Sequence, residues 1–107
     1  MKCVQNMEYE VIISHRARVD LEAAIEWYNA QQYDLGIDFL LDFYACLDFL
    51  TTFPKVNAIV YKGYRRLIIK RFPYSIFYEI DEITKEVIIL AIWGNKQNPD
   101  DLDLKLA

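Results

Sequence analysis

Histidine occurs once in this 107-residue sequence, cysteine twice, and glycine and proline three times each. These scarcities exclude several kinds of chemistry at the outset. Cys3 and Cys46 show no metal-ligand spacing; a disulfide stays open in principle, but Cys46 falls in an apolar helical stripe, where a thiol serves as a small core side chain. His15 stands beside Ser14 at a helix start with no cysteine or carboxylate placed to orient it, the setting of a surface residue rather than a catalyst. Gly94-Asn95 marks a turn and carries no phosphate-loop pattern. Asp34, Asp38 and Asp42 recur every four residues, a spacing that solvated helix faces produce routinely, so neither a metal nor a cofactor is expected. There is no run of about 18 apolar residues, which leaves no candidate for a membrane-spanning helix. Met1-Lys2-Cys3-Val4-Gln5-Asn6 lacks the apolar stretch of a secretory signal. The expected compartment is the cytoplasm.

What is present is a core. Hydrophobic residues make up 54% and aromatics 15% of the chain, which favours a packed domain over disorder. Residues 1–107 fit one domain. A chain of this size buries only roughly two-thirds of its unfolded surface, so a partner can add much to its stability.

Charge is unevenly placed. Residues 1–48 carry nine acids and three bases, and residues 79–107 seven acids and three bases. Between them Lys55, Lys62, Arg65, Arg66, Lys70 and Arg71 meet no acid at all. The protein is acidic overall, at −4, with one basic block. Such a block favours a negatively charged partner surface locally, while the acidic remainder resists indiscriminate nucleic-acid binding. Direct nucleic-acid binding is therefore not expected.

The hydrophobic period first reads as a short strand over Glu8 to Ile13. Ser14 then suits the N-cap of a helix from about His15 to Gln31, with Leu21, Ala24, Ile25 and Tyr28 on one stripe. After a break at Tyr33-Asp34-Leu35-Gly36, a second helix places Leu35, Phe39, Leu40, Phe43, Cys46, Leu47 and Leu50 on its buried side and Asp38, Asp42 and Asp48 toward water. Pro54 disfavours helix at Phe53 and ends it. So short a connection makes the two helices an antiparallel hairpin. The period then becomes extended: Ala58 to Tyr61, a turn at Gly63, Arg65 to Phe72, a break at Pro73, Tyr74 to Ile80, a turn over residues 81–85, and Glu86 to Trp93. The order is an N-terminal strand, a helix hairpin, then a three- to four-stranded antiparallel meander, an α+β fold with the helices on one face of the sheet.

The late strands are apolar on both faces, unlike a sheet with one side in water. Alternation puts Val87, Ile89, Ala91 and Trp93 on one face and Ile88, Leu90 and Ile92 on the other. The helix pair covers one face, so the second is expected to offer an apolar surface to a partner. The tail Leu102-Asp103-Leu104-Lys105-Leu106 or a homodimer are the alternative covers.

The segment from Gly63 to Ile80, with Arg65-Arg66 near a strand start, the turn Phe72-Pro73-Tyr74 and the aromatic return Ile76-Phe77-Tyr78, resembles the central signature of ParE-type toxins of the RelE/ParE superfamily. Upstream, Ala17, Asp20-Leu21, Ala24, Trp27-Tyr28, Leu35-Gly36, Phe39, Leu47, Leu50 and Phe53-Pro54 resemble the family's helix pair; downstream, Val87 to Ile92 and Asn98-Pro99 resemble its last strand and the motif after it. The likeness covers roughly residues 8–100.

That superfamily holds two activities. RelE-type members are ribosome-dependent mRNA endoribonucleases, which need cationic side chains to stabilise charge on the phosphate and usually a group that moves a proton. Arg65, Arg66 and Lys96 are the candidate catalytic residues under that likeness. However, Ser75 stands where such enzymes carry an arginine, and the C-terminal segment has neither tyrosine nor histidine. ParE-type members resemble the chain better. That resemblance implies a toxin that acts by binding, with DNA gyrase as the usual target, and is neutralised by a cognate antitoxin that wraps it with a helix and an extended segment. Lys62, Arg65, Arg66, Lys70, Arg71, Tyr78 and Trp93 are the residues expected to meet target or antitoxin. The nuclease, and an inactive member kept as a binding module, stay open as alternatives.

Overall fold

The computed structural model describes residues 8–94. In chain order they form β1 (Glu10–Ile13), α1 (His15–Gln31), α2 (Leu35–Thr52), β2 (Ile59–Tyr61), β3 (Tyr64–Ile68), β4 (Tyr74–Asp81) and β5 (Glu86–Gly94). The expected α+β order holds.

Local signals set the helices. Ser14 is extended, and its hydroxyl accepts from the Ala17 N–H at 3.1 Å, which satisfies one of the amides a helix start leaves unbonded. Ala17, Leu21, Ala24 and Tyr28 then bury one stripe of α1. Gly36 packs directly against α1. A Cβ there would lie 2.5 Å from the Ile25 carbonyl oxygen, and the Gly36 N–H donates to Asn29 Oδ1 at 2.8 Å. In α2, Phe39, Phe43 and Leu50 are fully buried. Truncating a buried phenylalanine such as Phe39 to alanine typically removes about 3–5 kcal/mol. The helix ends before Pro54, and the Thr51 carbonyl, one of its last, accepts from the Tyr9 N–H at 2.8 Å.

The sheet has the order β1-β5-β4-β3-β2. Strands β2 to β5 form the antiparallel meander, and β1 joins parallel to β5, Val11 beside Val87 and Ile13 beside Ile89. The helices cover one face. There Tyr28, Phe39, Phe72 and Tyr74 pack with ring centroids 4.9–6.0 Å apart, within the range in which aromatic pairs add about 0.5–1.5 kcal/mol each.

Three expectations are corrected. First, β3 stops at Ile68 and does not run to Phe72. The Ile69 N–H still reaches the Tyr74 carbonyl, but Pro73 forces a tight turn in which the Tyr74 N–H bonds the Phe72 carbonyl at 2.7 Å, and Phe72 drops into the core. Second, β5 does not keep one alternation. Phe77 pairs with Ala91 and Tyr78 with Ile89, so Leu90 is an extra residue in a β-bulge. Beyond it the faces exchange: Ile92 joins Val87 and Ile89 under the helices, while Ala91 and Trp93 go to the other side. Third, that other side is not an open apolar plane. Phe77, Ala91 and Trp93 form a second buried cluster there, with Ala91 opposite Phe77 in the register.

Candidate functional site

The basic block does not form one patch. Lys55 pairs with Glu82 at 2.7 Å. Arg65 lies beside Tyr78 on the helix side of the sheet, and its Nη1 donates to the Asn57 carbonyl at 2.6 Å and to the Lys55 carbonyl at 3.2 Å. Arg66, one residue on, lies beside Phe77 on the opposite side and is exposed. Arg65 and Arg66 therefore do not converge on one phosphate. Lys62 occupies a left-handed turn position, φ 47°, with its Nζ 5.4 Å from the Tyr61 ring centre. Lys70 is exposed in the turn after β3.

Tyr78 is not a surface residue. It is fully buried; its hydroxyl donates to the Pro54 carbonyl at 2.7 Å and accepts from Asn57 Nδ2 at 3.1 Å. Burial pushes its phenol pKa up, against the smaller opposing pull of the Asn57 hydrogen bond and the Arg65 charge. Arg65, Tyr78 and Asn57 thus form a clamp on the α2–β2 connection. Trp93 belongs to the buried cluster on the far face. Lys96, the tail and Asn98-Pro99 lie outside the described residues.

Arg71 and Asp42 make a two-pronged ion pair, with Nε to Oδ2 at 2.8 Å and Nη2 to Oδ1 at 3.1 Å. Asp42, expected toward water, is drawn into a half-buried position. This pair marks one end of a groove of about 520 Å³ between α2 and β3, with Ala45, Cys46, Phe49, Leu67 and Ile69 as its apolar walls. The Cys46 thiol is pushed up by burial and by the Asp42 charge, so it stays protonated and packs as a small apolar group.

The exposed apolar surface lies on the helix layer and the sheet edge. On α2, Ile37, Leu41 and Tyr44 face outward, with Leu41 60% exposed, and on α1 Val19 and Trp27 do the same, with Trp27 56% exposed. Helix α2 is thus apolar on two sides. The signal was present: Ile37, Leu41 and Tyr44 repeat at four and three residues beside the core stripe. Phe53 and Val56 in the α2–β2 connection, Ile59 and Val60 on β2 and Ile68 on β3 extend the exposed apolar surface.

No curated protein sequence matches the chain. Solved structures do. A chromosomal ParDE toxin–antitoxin system from P. aeruginosa is similar with a TM-score of 0.72 at 21% identity, over 82% of this chain and 97% of that one. The RelBE2 toxin–antitoxin complex from Mycobacterium tuberculosis is similar with a TM-score of 0.54 at 21% identity, over 81% and 98%. A mutant of the E. coli toxin RelE in the free state gives 0.53 at 10% identity, over 84% and 86%. The helix pair over a five-stranded mixed sheet is therefore the RelE/ParE-like toxin fold. Residues 11–99 match the ParE toxin of type II toxin–antitoxin systems (parDE), and the chain belongs to that family. Among the described residues no helix is long and apolar enough to cross a membrane.

Proposed function

We propose that the chain arrests growth by binding a protein target, with DNA gyrase the target that family membership suggests, and that a cognate antitoxin neutralises it. The observation that carries this reading is the exposed apolar surface of α2 and the groove beside it. A water-exposed stripe of Ile37, Leu41 and Tyr44 next to an apolar trough is the kind of surface that receives an amphipathic partner segment. Exposed Lys70, on the lining of the same groove, gives the acidic positions of such a partner a cation to meet. The separation of Arg65 from Arg66 weighs against a phosphate-cleaving site built on that pair. A cytoplasmic location follows from this reading.

Expression from an inducible promoter should arrest growth, and the short open reading frame adjacent to the gene should relieve it. Purified protein should inhibit gyrase supercoiling in vitro. Arrest with uninhibited gyrase would point to another target, cleaved transcripts in a translating extract would replace binding with nuclease chemistry, and antitoxin binding without arrest would mark an inactive member.

A further inference from the structure

The cluster on the far face of the sheet is buried, yet neither helix reaches it. Phe77 is 5% exposed, Trp93 7% and Ala91 fully buried, and Ser75, opposite Trp93, is buried with them. Ile76, Tyr78 and Ile92 alternate with these residues and belong to the core under the helices, so the four point the other way. Side chains on a bare sheet face stand out into water. An indole there, with only a serine across from it and β1 already ended beside Ile89, would keep much of its area wet. Among the described residues no helix residue joins this cluster, and all five strands lie within the sheet itself. The burial exists within a single chain, so the cover comes from residues 1–7 or 95–107 of that chain.

The two ends are not equally placed to supply it. Residues 1–7 lead into Tyr9, whose N–H donates to the Thr51 carbonyl of α2, and Glu10 pairs with Glu86. That is the opposite end of β5 from Trp93, about 20 Å along the strand. Residues 1–7, fully extended, span at most about 25 Å, so little of them is left to lie over the cluster. Residues 95–107 instead continue directly from Trp93 and Gly94. Asn98-Pro99 favours a turn. Leu102, Leu104 and Leu106 then recur at every second position, with Asp103 and Lys105 between them. Extended, that pattern turns three leucines to one side and its charges to the other. Residues 95–107 span up to about 43 Å, against about 15 Å from β5 across the sheet to β2.

We propose that Leu102, Leu104 and Leu106 lie over Phe77, Ala91 and Trp93 and close the far face of the sheet from within the chain. Alternation keeps Asp103 and Lys105 in water while the leucines meet the rings. This part of the far face is thereby withheld from partners, which are left the α2 stripe and the groove beside it. The placement stands on the buried cluster and the pattern of the segment, and it holds whether or not the chain arrests growth.

The test uses the full chain labelled on its leucine, valine and methionine methyls. Ring protons of Trp93 and Phe77 should show nuclear Overhauser contacts to the methyls of Leu102, Leu104 and Leu106, assigned by leucine-to-isoleucine substitution one position at a time. Fluorescence gives a second readout. Trp27→Phe, at an exposed position, leaves Trp93 the single tryptophan, and its emission should be blue and poorly quenched by acrylamide. Removing Leu102 to Ala107 from that variant should move the emission to the red and raise quenching severalfold. Its thermal midpoint should fall by at least about 5 °C, because three leucines lose their burial. A synthetic peptide of residues 95–107 added to the shortened chain should restore the blue emission. If the shortened chain does not fold, the methyl contacts of the intact chain decide. Contacts from Trp93 to Met1, Val4 or Met7 instead would give the cover to the other end of the chain. Contacts only between molecules in a mixed-label sample would give it to a second copy. Either result, absence of any contact to the three leucines, or unchanged quenching in a folded shortened chain would overturn the proposal.

Discussion

Arg65 reaches back across the sheet edge to the Asn57 carbonyl at 2.6 Å, while its neighbour Arg66 points to the other face with an exposed side chain. Two arginines adjacent in sequence thus do different work. Removing Arg65 strips charged donors from two carbonyls of the α2–β2 connection, and hydrogen bonds to charged groups are worth about 1.5–3 kcal/mol each. Arg65→Ala should therefore lower stability by about 2–3 kcal/mol in urea denaturation, whereas Arg66→Ala should stay within about 0.5 kcal/mol. Equal effects of the two substitutions would remove the clamp assigned to Arg65.

Tyr78→Phe tests the same clamp from the other side. The lost hydroxyl leaves the Pro54 carbonyl and the Asn57 amide short of a partner in a closed site, a loss of about 1–3 kcal/mol at neutral pH. The pH dependence has a definite sign. Burial raises the Tyr78 phenol above its ordinary value of about 10, so the folded state holds the proton more tightly than the unfolded state. That contribution is fully present below about pH 10 and is lost as the pH rises through the folded-state value. Tyr28 and Tyr74 are shifted upward by burial in the same direction. The wild type should lose stability above pH 10, and Tyr78→Phe, though weaker at neutrality, should lose less over that alkaline range. Parallel profiles for the two proteins would contradict this.

The helices were legible because their limits are local: Ser14 caps α1 and Pro54 stops α2, whatever the rest of the chain does. The bulge at Leu90 was not. From Val87 to Trp93 every residue is apolar, so no polar side chain marks which face is which, and a one-residue slip leaves the pattern unchanged. The site was legible as a set of residue types and illegible as a surface. Arg65, Arg66 and Arg71 are alike in sequence, and only the pairings with Tyr78, Phe77 and Asp42 separate a clamp, an exposed cation and an ion pair. Helix α2 looked one-sided because its aspartates were set against one apolar stripe, when Ile37, Leu41 and Tyr44 form a second.

Gly36→Ala probes the helix hairpin. The added methyl would sit 2.5 Å from the Ile25 carbonyl oxygen and 2.6 Å from Asn29 Oδ1, so backbone as well as side chain must move. Overpacking of this kind typically costs about 1–3 kcal/mol, and separating the helices would also disturb Phe39 beneath them. The thermal midpoint should fall, with the same shift at low and high salt because no charge is involved. An unchanged midpoint would mean that the hairpin opens freely at this point.

Asp20 is the buried charge-bearing residue of α1, and its Oδ2 accepts the Ile92 N–H at 3.1 Å across 72 positions of sequence. The contact follows from the sheet: β1 stops pairing with β5 at Ile13 and Ile89, so the amide of Ile92 needs an acceptor from elsewhere, and α1 supplies it. Asp20→Ala leaves that buried amide unmatched and should lower stability by about 2–3 kcal/mol, while Asp20→Asn, which keeps an oxygen acceptor of the same length, should lose less. Hydrogen exchange gives the sharper readout. In Asp20→Ala the Ile92 amide should exchange much faster than amides in the middle of β4, because the opening there becomes local rather than global. If Ile92 kept its protection in Asp20→Ala, α1 would be held to the sheet by packing alone.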